Sequence, residues 1–120
     1  ITLTSQNALI SAIANDVSSD MVFAQQVYAY GRSGDLLIGI STSGNSQNVV
    51  YAMVTARAMG LKTIGLIGKQ GGRLKSIADV PVCVPAETTV EIQELHLPIY
   101  HMLCAAMEDH FFPQIPVDTN

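Results

Sequence analysis

A cluster of hydroxyl side chains carries the clearest chemistry in this sequence. The segment Ser41–Ser46 reads Ser-Thr-Ser-Gly-Asn-Ser and directly follows the apolar run Leu36–Ile40. Glycine lets the backbone approach a ligand closely, and hydroxyls together with free amides at a helix N-terminus donate to anions. An ordinary helix cap is the simpler interpretation, but four hydroxyls in six residues are more than a cap requires. The segment therefore predicts a phosphate-binding loop, although it lacks the Gly-Lys-Ser/Thr ending of a P-loop.

Polar side chains also interrupt an apolar stretch near the C-terminus, namely Gln93, Glu94, His96 and His101. Such groups are costly to bury unless they are paired, and satisfied surface or core residues are the simplest interpretation of the two histidines. On a regular helix, Gln93 and His101 are about 12 Å and about 80° apart, and His96 faces about 140° away from His101. The two histidines therefore do not form an i,i+4 metal pair. Pro98 should kink the helix between them.

The elements that position these residues follow from the alternation of short apolar runs with helical patterns. Strands are predicted at residues 1–4, 36–40, 62–67 and 80–84, and helices at 7–14, 21–30, 46–59, 73–78 and 90–112. Because the strands show no polar alternation and helices separate them, we expect an α/β domain with a parallel sheet covered by helices. Ligands of such sheets bind beyond the carboxyl ends of the strands, which is where Ser41–Ser46 falls.

Composition and charge exclude several classes of function. The 120 residues suffice for one domain with a core, and six basic against ten acidic residues leave a net charge of −4 that argues against a nucleic-acid surface. No apolar run approaches the roughly twenty residues of a membrane span. Cys83 and Cys104 form no CxxC motif or disulfide framework, so we expect reduced, buried thiols in a cytoplasmic protein. The start at Ile1, without an initiator Met, indicates a piece of a longer protein.

Taken together, these segments resemble the sugar isomerase (SIS) domain family, and within it the phosphoheptose isomerases. The matching residues are Ala14-Asn15-Asp16, the stretch 31–46, Gly68-Lys69, Gly71-Gly72, Ala78-Asp79, Ile92-Gln93-Glu94, His96, His101 and Leu103-Cys104. The resemblance covers nearly the whole chain. It implies a flavodoxin-like αβα sandwich with a parallel sheet, formed here by one SIS domain over residues 1–120 that lacks the first helix and first strand of the family.

The resemblance also implies an activity, an aldose–ketose isomerisation of sedoheptulose 7-phosphate to D-glycero-D-manno-heptose 7-phosphate through an enediol. Gln93 and His101 match two of four ligands of a divalent metal, usually zinc, and His101 matches an acid/base residue. The family forms cytoplasmic homotetramers with active sites at subunit interfaces and serves lipopolysaccharide heptose synthesis. Six residues match positions that contact the phosphorylated sugar: Asp16, Ser41, Thr42, Ser43, Ser46 and Gln93.

Part of the family pattern is missing from this sequence. The long first helix, the Gly-Asn-Gly-Gly-Ser loop and a helix carrying a His and a Glu have no counterpart here, and that Glu is the expected general base. We therefore expect the given chain to be inactive by itself.

Two other functions remain open. One superfamily member binds the replication initiator without a known need for catalysis; it keeps the serine loop and ends in a Phe-Pro tail similar to residues 111–114. It lacks the second histidine, so His101 favours the isomerase. The other open function is that of a phosphosugar-sensing regulatory domain.

Overall fold

Three parallel strands form the sheet of this protein, whose computed structural model describes residues 1–113. Strand β1 (Leu36–Ser41) pairs with β2 (Lys62–Ile67), and β2 pairs with β3 (Val80–Cys83). Ile67 lies opposite Ser41 on one side and Cys83 on the other. The three strands therefore end level at one edge of the sheet, which we call the carboxyl edge. The predicted α/β fold with a parallel sheet is confirmed.

Helices connect and flank these strands. Five α-helices occur in the described residues: α1 (Asn7–Asp16), α2 (Val22–Tyr30), α3 (Gln47–Ala58), α4 (Leu74–Ile77) and α5 (Thr89–Phe111). Helix α3 ends in a Schellman motif, in which Leu61 N–H donates to the Ala56 carbonyl and Gly60 takes a positive φ of 81°. Helix α5 begins with a capping box between Thr88 and Glu91.

The core lies between α3 and the sheet. The sulfur of Met53 on α3 would stand 3.1 Å from a Cβ added at Gly39 of β1, so the helix packs directly on the strand backbone there. One buried cluster joins α3, β2 and α4, and comprises Val50, Met53, Ile67, Leu74 and Ala78. A second joins α2 and α3, and comprises Val27, Ala52, Ala56 and Leu61.

The opposite face of β1 is open. Leu36, Ile38 and Ile40 alternate with the residues that face α3, and they are 51%, 43% and 53% exposed. Helix α5, which at 23 residues is about 35 Å long, likewise buries only Ile92 and His96. Much of the apolar surface of β1 and α5 is therefore left uncovered by residues 1–113.

Two predictions from the sequence are wrong. Residues 1–4 are not a strand, because Leu3–Ser5 forms a 3₁₀ turn in which the Ser5 amide and hydroxyl both donate to the Thr2 carbonyl. Cys83 and Cys104 are free, as expected, but both are exposed, since β3 is an edge strand and the second half of α5 packs on little. The other predicted elements are confirmed within a few residues. No helix within residues 1–113 combines the length and apolarity needed to cross a membrane.

Candidate functional site

The serine loop, residues 41–46, lies at the carboxyl edge between β1 and α3. Ser41 is the last residue of β1 and is buried, and its hydroxyl lies 2.8 Å from that of Ser46. Ser46 is the N-cap residue of α3, but its side chain accepts no hydrogen bond from a helix amide. The ordinary cap that would explain a serine at this position is therefore not formed. The Val49 amide in the first turn of α3 donates to Oδ1 of the neighbouring Asn48 at 2.9 Å. The helix N-terminus still carries its partial positive charge, and Ser46 occupies none of its amides, so this end of α3 can attract an anion.

The centre of the loop is a tight turn that requires glycine. Gly44 has a φ of 65°, and its amide donates to the Ser41 carbonyl at 3.1 Å. The hydroxyl of Ser43 accepts from the Asn45 amide at 3.1 Å. A Cβ at Gly44 would collide with the Gly71 carbonyl, so the loop backbone also touches the segment that follows β2.

That segment, residues 71–74, clamps the serine loop. Leu74 N–H donates to the Gly44 carbonyl at 3.0 Å, and Arg73 N–H donates to Oδ1 of Asn45 at 3.0 Å. Nδ2 of Asn45 donates in turn to the Ser43 carbonyl at 3.2 Å. Sequence reasoning did not assign a role to Asn45 or Arg73, although the Gly-Asn and Gly-Gly pairs were the signals of two turns that could pack together.

A positive charge accompanies this clamp. The guanidinium of Arg73 donates to the side chain of Gln47, the first residue of α3, at 2.8 Å. By contrast, a surface depression of about 600 Å³ beside α5 is lined by Glu87, Glu91 and Glu94. Three carboxylates would repel a phosphate there. Of these two places, the N-terminus of α3 is the better anion site.

The polar residues of α5 lie on different faces. His96 is only 2% exposed, and its Nε2 lies 3.2 Å from the Ile67 carbonyl. Gln93 and His101 are exposed, and the His101 ring packs edge-to-face on Tyr100. The expected separation of the two histidines is thus observed: one faces the sheet and the other faces outward.

Asp16 is distant from the serine loop in the sequence and forms no hydrogen bond with it in the described residues. It is the last residue of α1, is exposed, and accepts from Nδ2 of Asn15 at 2.7 Å. Within residues 1–113, no hydrogen bond joins Asp16, Gln93 or His101 to the serine loop. The structure brings Ser41, Thr42, Ser43 and Ser46 together and leaves the other candidate residues on surrounding surfaces.

Gln93 and His101 of one chain cannot by themselves coordinate the same metal ion. Eight residues along α5 correspond to about 12 Å, whereas zinc ligands lie about 2 Å from the metal. Residues 1–113 contain no group of three His, Cys, Asp or Glu side chains that could hold a metal ion. Any such site would need ligands from another segment or subunit.

The fold and the serine loop are those of a known family. The SIS domain model matches residues 1–68, more than half of the chain, and the chain belongs to the SIS domain family. A phosphoheptose isomerase from a Nitratiruptor species is 47% identical over 111 residues, which are 92% of this chain and 59% of that protein. The chain therefore spans about three fifths of the length of this relative.

Solved structures show the same similarity. A phosphoheptose isomerase from Neisseria gonorrhoeae superposes with a TM-score of 0.87 at 41% identity, covering 88% of this chain and 60% of that one. One from Francisella tularensis gives a TM-score of 0.85 at 38% identity, covering 88% and 56%. The predicted resemblance to the SIS domain and to the phosphoheptose isomerases is confirmed.

Proposed function

We propose that the protein containing this chain is a phosphoheptose isomerase that converts sedoheptulose 7-phosphate to D-glycero-D-manno-heptose 7-phosphate. The observation that carries the proposal is the 47% identity to such an enzyme over 92% of the chain. In this proposal residues 1–120 belong to one SIS domain. The free thiols Cys83 and Cys104 are consistent with the reducing cytoplasm, where the sugar phosphate would be metabolised.

The serine loop would bind the phosphate group. Its hydroxyls can each donate to a phosphate oxygen, and the N-terminus of α3 adds its amides and dipole. The Ser41–Ser46 contact and the clamp by residues 71–74 support this role, because they hold the loop in shape before a ligand arrives. The phosphate contacts would come from Ser41, Thr42, Ser43 and Ser46, while Asp16 and Gln93 would contact the sugar.

His101 would transfer the proton. Aldose–ketose isomerisation moves a proton between adjacent carbons through an enediol, so an acid and a base must flank the substrate. An imidazole can serve as either, and the exposure of His101 leaves it accessible. The second acid/base group would come from a segment outside this chain, where the family carries a glutamate.

The active protein would be a homo-oligomer, by analogy a tetramer, with its sites between subunits. The exposed apolar faces of β1 and α5 support this, because a folded protein in water covers such surfaces. Zinc would be held only if Gln93 and His101 met further ligands from outside this chain.

A second candidate is a non-catalytic SIS protein that binds the replication initiator. Phe111 and Phe112, at the end of α5, are 65% and 77% exposed, which favours contact with a partner. Residue 114 of the tail that suggested this function lies outside the described residues.

An assay of the full-length protein separates the candidates. We expect it to bind and turn over sedoheptulose 7-phosphate, and to ignore sedoheptulose, which has the same carbons but no phosphate. Binding of the phosphorylated sugar without turnover would favour a sensing or initiator-binding role. Failure to bind it would contradict the assignment of the serine loop as well.

A further inference from the structure

We propose that His96 is a positioning residue for the isomerisation: through the carbonyl of Ile67 it fixes helix α5, and with it Gln93 and His101, at the carboxyl edge of the sheet. The part of this inference that concerns turnover rests on the proposed function. The part that concerns the tether of α5 does not.

The Ile67 carbonyl joins three elements at one atom. Ile67 is the last residue of β2, and its oxygen accepts from Val84 N–H at 2.9 Å and from His96 Nε2 at 3.2 Å. A carbonyl oxygen has two lone pairs, so both are used. The ends of β2 and β3 and the first third of α5 are therefore tied together at the carboxyl edge.

His96 is half of the anchor that attaches α5 to the rest of the chain. Ile92 and His96 are the buried residues of this helix, and at a spacing of four they lie on the same face. Ile92 packs so closely on Gly68 that a Cβ there would collide with its side chain. Ile92 thus supplies an apolar contact and His96 a directional hydrogen bond. Together they limit how far the helix can slide or rotate on the sheet.

The hydrogen bond defines the tautomer of the His96 ring. A carbonyl can only accept, so Nε2 carries the proton, and the Nδ1 of the neutral ring is an acceptor. Nδ1 is buried and has no partner within residues 1–113. If the Nε2 donor is removed, the Ile67 carbonyl is still bonded to Val84, so the fold keeps its strand pairing while α5 loses its tether.

Loss of the tether would affect two exposed residues of the same helix, Gln93 and His101. Gln93 follows Ile92 directly and His101 lies five residues beyond His96, so both move with the anchor. The serine loop is attached to β1 and to residues 71–74 instead. Movement of α5 would therefore displace the proton-transfer group relative to a bound phosphate without altering the phosphate site.

A matched pair of variants in the full-length protein tests this. His96→Gln places an amide donor about as far from the backbone as Nε2, whereas His96→Leu fills a similar volume without a donor. We expect His96→Leu to lower kcat by about 10- to 100-fold, the size of effect that a misplacement of about 1 Å produces. Its affinity for inorganic phosphate, which would contact the serine loop and not Gln93, should change less than about threefold, and KM should rise by a smaller factor than kcat falls. His96→Gln should retain most of kcat.

Two measurements that need no activity separate this inference from the proposed function. In the wild-type protein, the nitrogen NMR shifts of His96 should place the proton on Nε2, and a proton on Nδ1 would overturn the proposal. In His96→Leu, amides of α5 should exchange with solvent faster than in His96→Gln. Equal exchange in the two variants, or equal kcat, would also overturn it.

Discussion

The hydroxyl of Ser46 lies 2.8 Å from that of Ser41 and caps no amide of the helix that it precedes. One residue ends β1 and the other begins the approach to α3, so their contact closes the serine loop across its base. This arrangement separates two interpretations that the sequence left open. A capping serine would stabilise α3, whereas this serine leaves the helix N-terminus available to an anion.

Replacing Ser46 by Ala should therefore affect binding more than folding. In the full-length protein we expect Ser46→Ala to weaken sugar-phosphate binding by about 1.5–3 kcal/mol, the cost of one hydrogen bond to a charged group. Isothermal titration calorimetry would measure this as a loss of about 10- to 100-fold in affinity.

Ser11→Ala is the matched control for this experiment, because Ser11 is exposed on α1. It should leave affinity unchanged. If Ser46→Ala lowered the melting temperature and kept full affinity, the loop would be a structural cap and the phosphate site would lie elsewhere.

The turn at Gly44 offers a second prediction, because it combines a positive φ with a close contact. Gly44→Ala should cost more stability than Gly34→Ala. Both glycines have positive φ, 65° and 93°, but an added Cβ meets nothing within 4 Å at Gly34 and collides with the Gly71 carbonyl at Gly44. The backbone strain alone is worth about 1–2 kcal/mol.

Urea unfolding measures the free energy of unfolding of each variant. The difference between the two losses is the contribution of the collision with Gly71. We expect Gly44→Ala to lose at least about twice as much free energy of unfolding as Gly34→Ala. Equal losses of stability would mean that residues 71–74 do not pack on the serine loop, and the proposed clamp would be wrong.

The pH dependence of the free energy of unfolding should reveal the hydrogen bonds between Thr63, at the start of β2, and Asp79. The Thr63 hydroxyl and amide both donate to Asp79 Oδ2, at 2.8 and 2.9 Å. The hydroxyl hydrogen bond is the main cause that holds the pKa of Asp79 below its ordinary value of 3.8, with smaller help from the Thr63 amide, Arg57 and Lys62. Because the folded pKa is the lower one, this contribution is fully present above pH 3.8 and is lost as pH falls through the folded pKa.

Urea unfolding between pH 5 and pH 2 would measure this loss. Asp79→Asn should flatten the acid side of the stability curve, since an amide does not titrate. Thr63→Val should flatten it too, because it removes the hydroxyl that lowers the Asp79 pKa and keeps the buried, β-branched shape. If both variants retained the wild-type slope, the Thr63–Asp79 hydrogen bonds would not carry the effect.

Sequence patterns were sufficient where the signal was local. The apolar runs predicted β1 and β2, and the hydroxyl cluster predicted the loop at the carboxyl edge. They failed at residues 1–4, where side-chain and backbone bonds to Thr2 replace strand pairing. Alternation and propensity do not reveal whether a neighbouring strand is there to pair with.

Contacts between residues far apart in the sequence could not be predicted, for a related reason. The bond between Asn45 and Arg73 joins residues 28 apart, and that between His96 and Ile67 joins residues 29 apart. Helical geometry correctly separated His96 from His101, but it could not say which of the two faces the sheet. That depends on where α5 docks, which is determined by Ile92 over Gly68.

The last prediction concerns His101, the residue on which the proposed chemistry depends. In the full-length protein, His101→Asn should abolish isomerisation while leaving sugar-phosphate binding nearly intact. The serine loop would hold the phosphate end, whereas α5 would address the carbons between which the proton moves. Loss of an acid/base group typically costs about 10²- to 10⁴-fold in rate. Steady-state kinetics and calorimetry on the same preparation would measure both quantities.

The control must be a histidine of α5 whose loss does not disturb packing. His96 is unsuitable, because it is buried and bonded to Ile67, and we therefore do not expect His96→Asn to be mild. His110 is exposed in the last turn of the same helix, so His110→Asn should retain activity. Robust turnover by His101→Asn would remove this residue from the mechanism and favour initiator binding. Equal damage from both variants would show that α5 as a whole, rather than the His101 imidazole, had been disturbed.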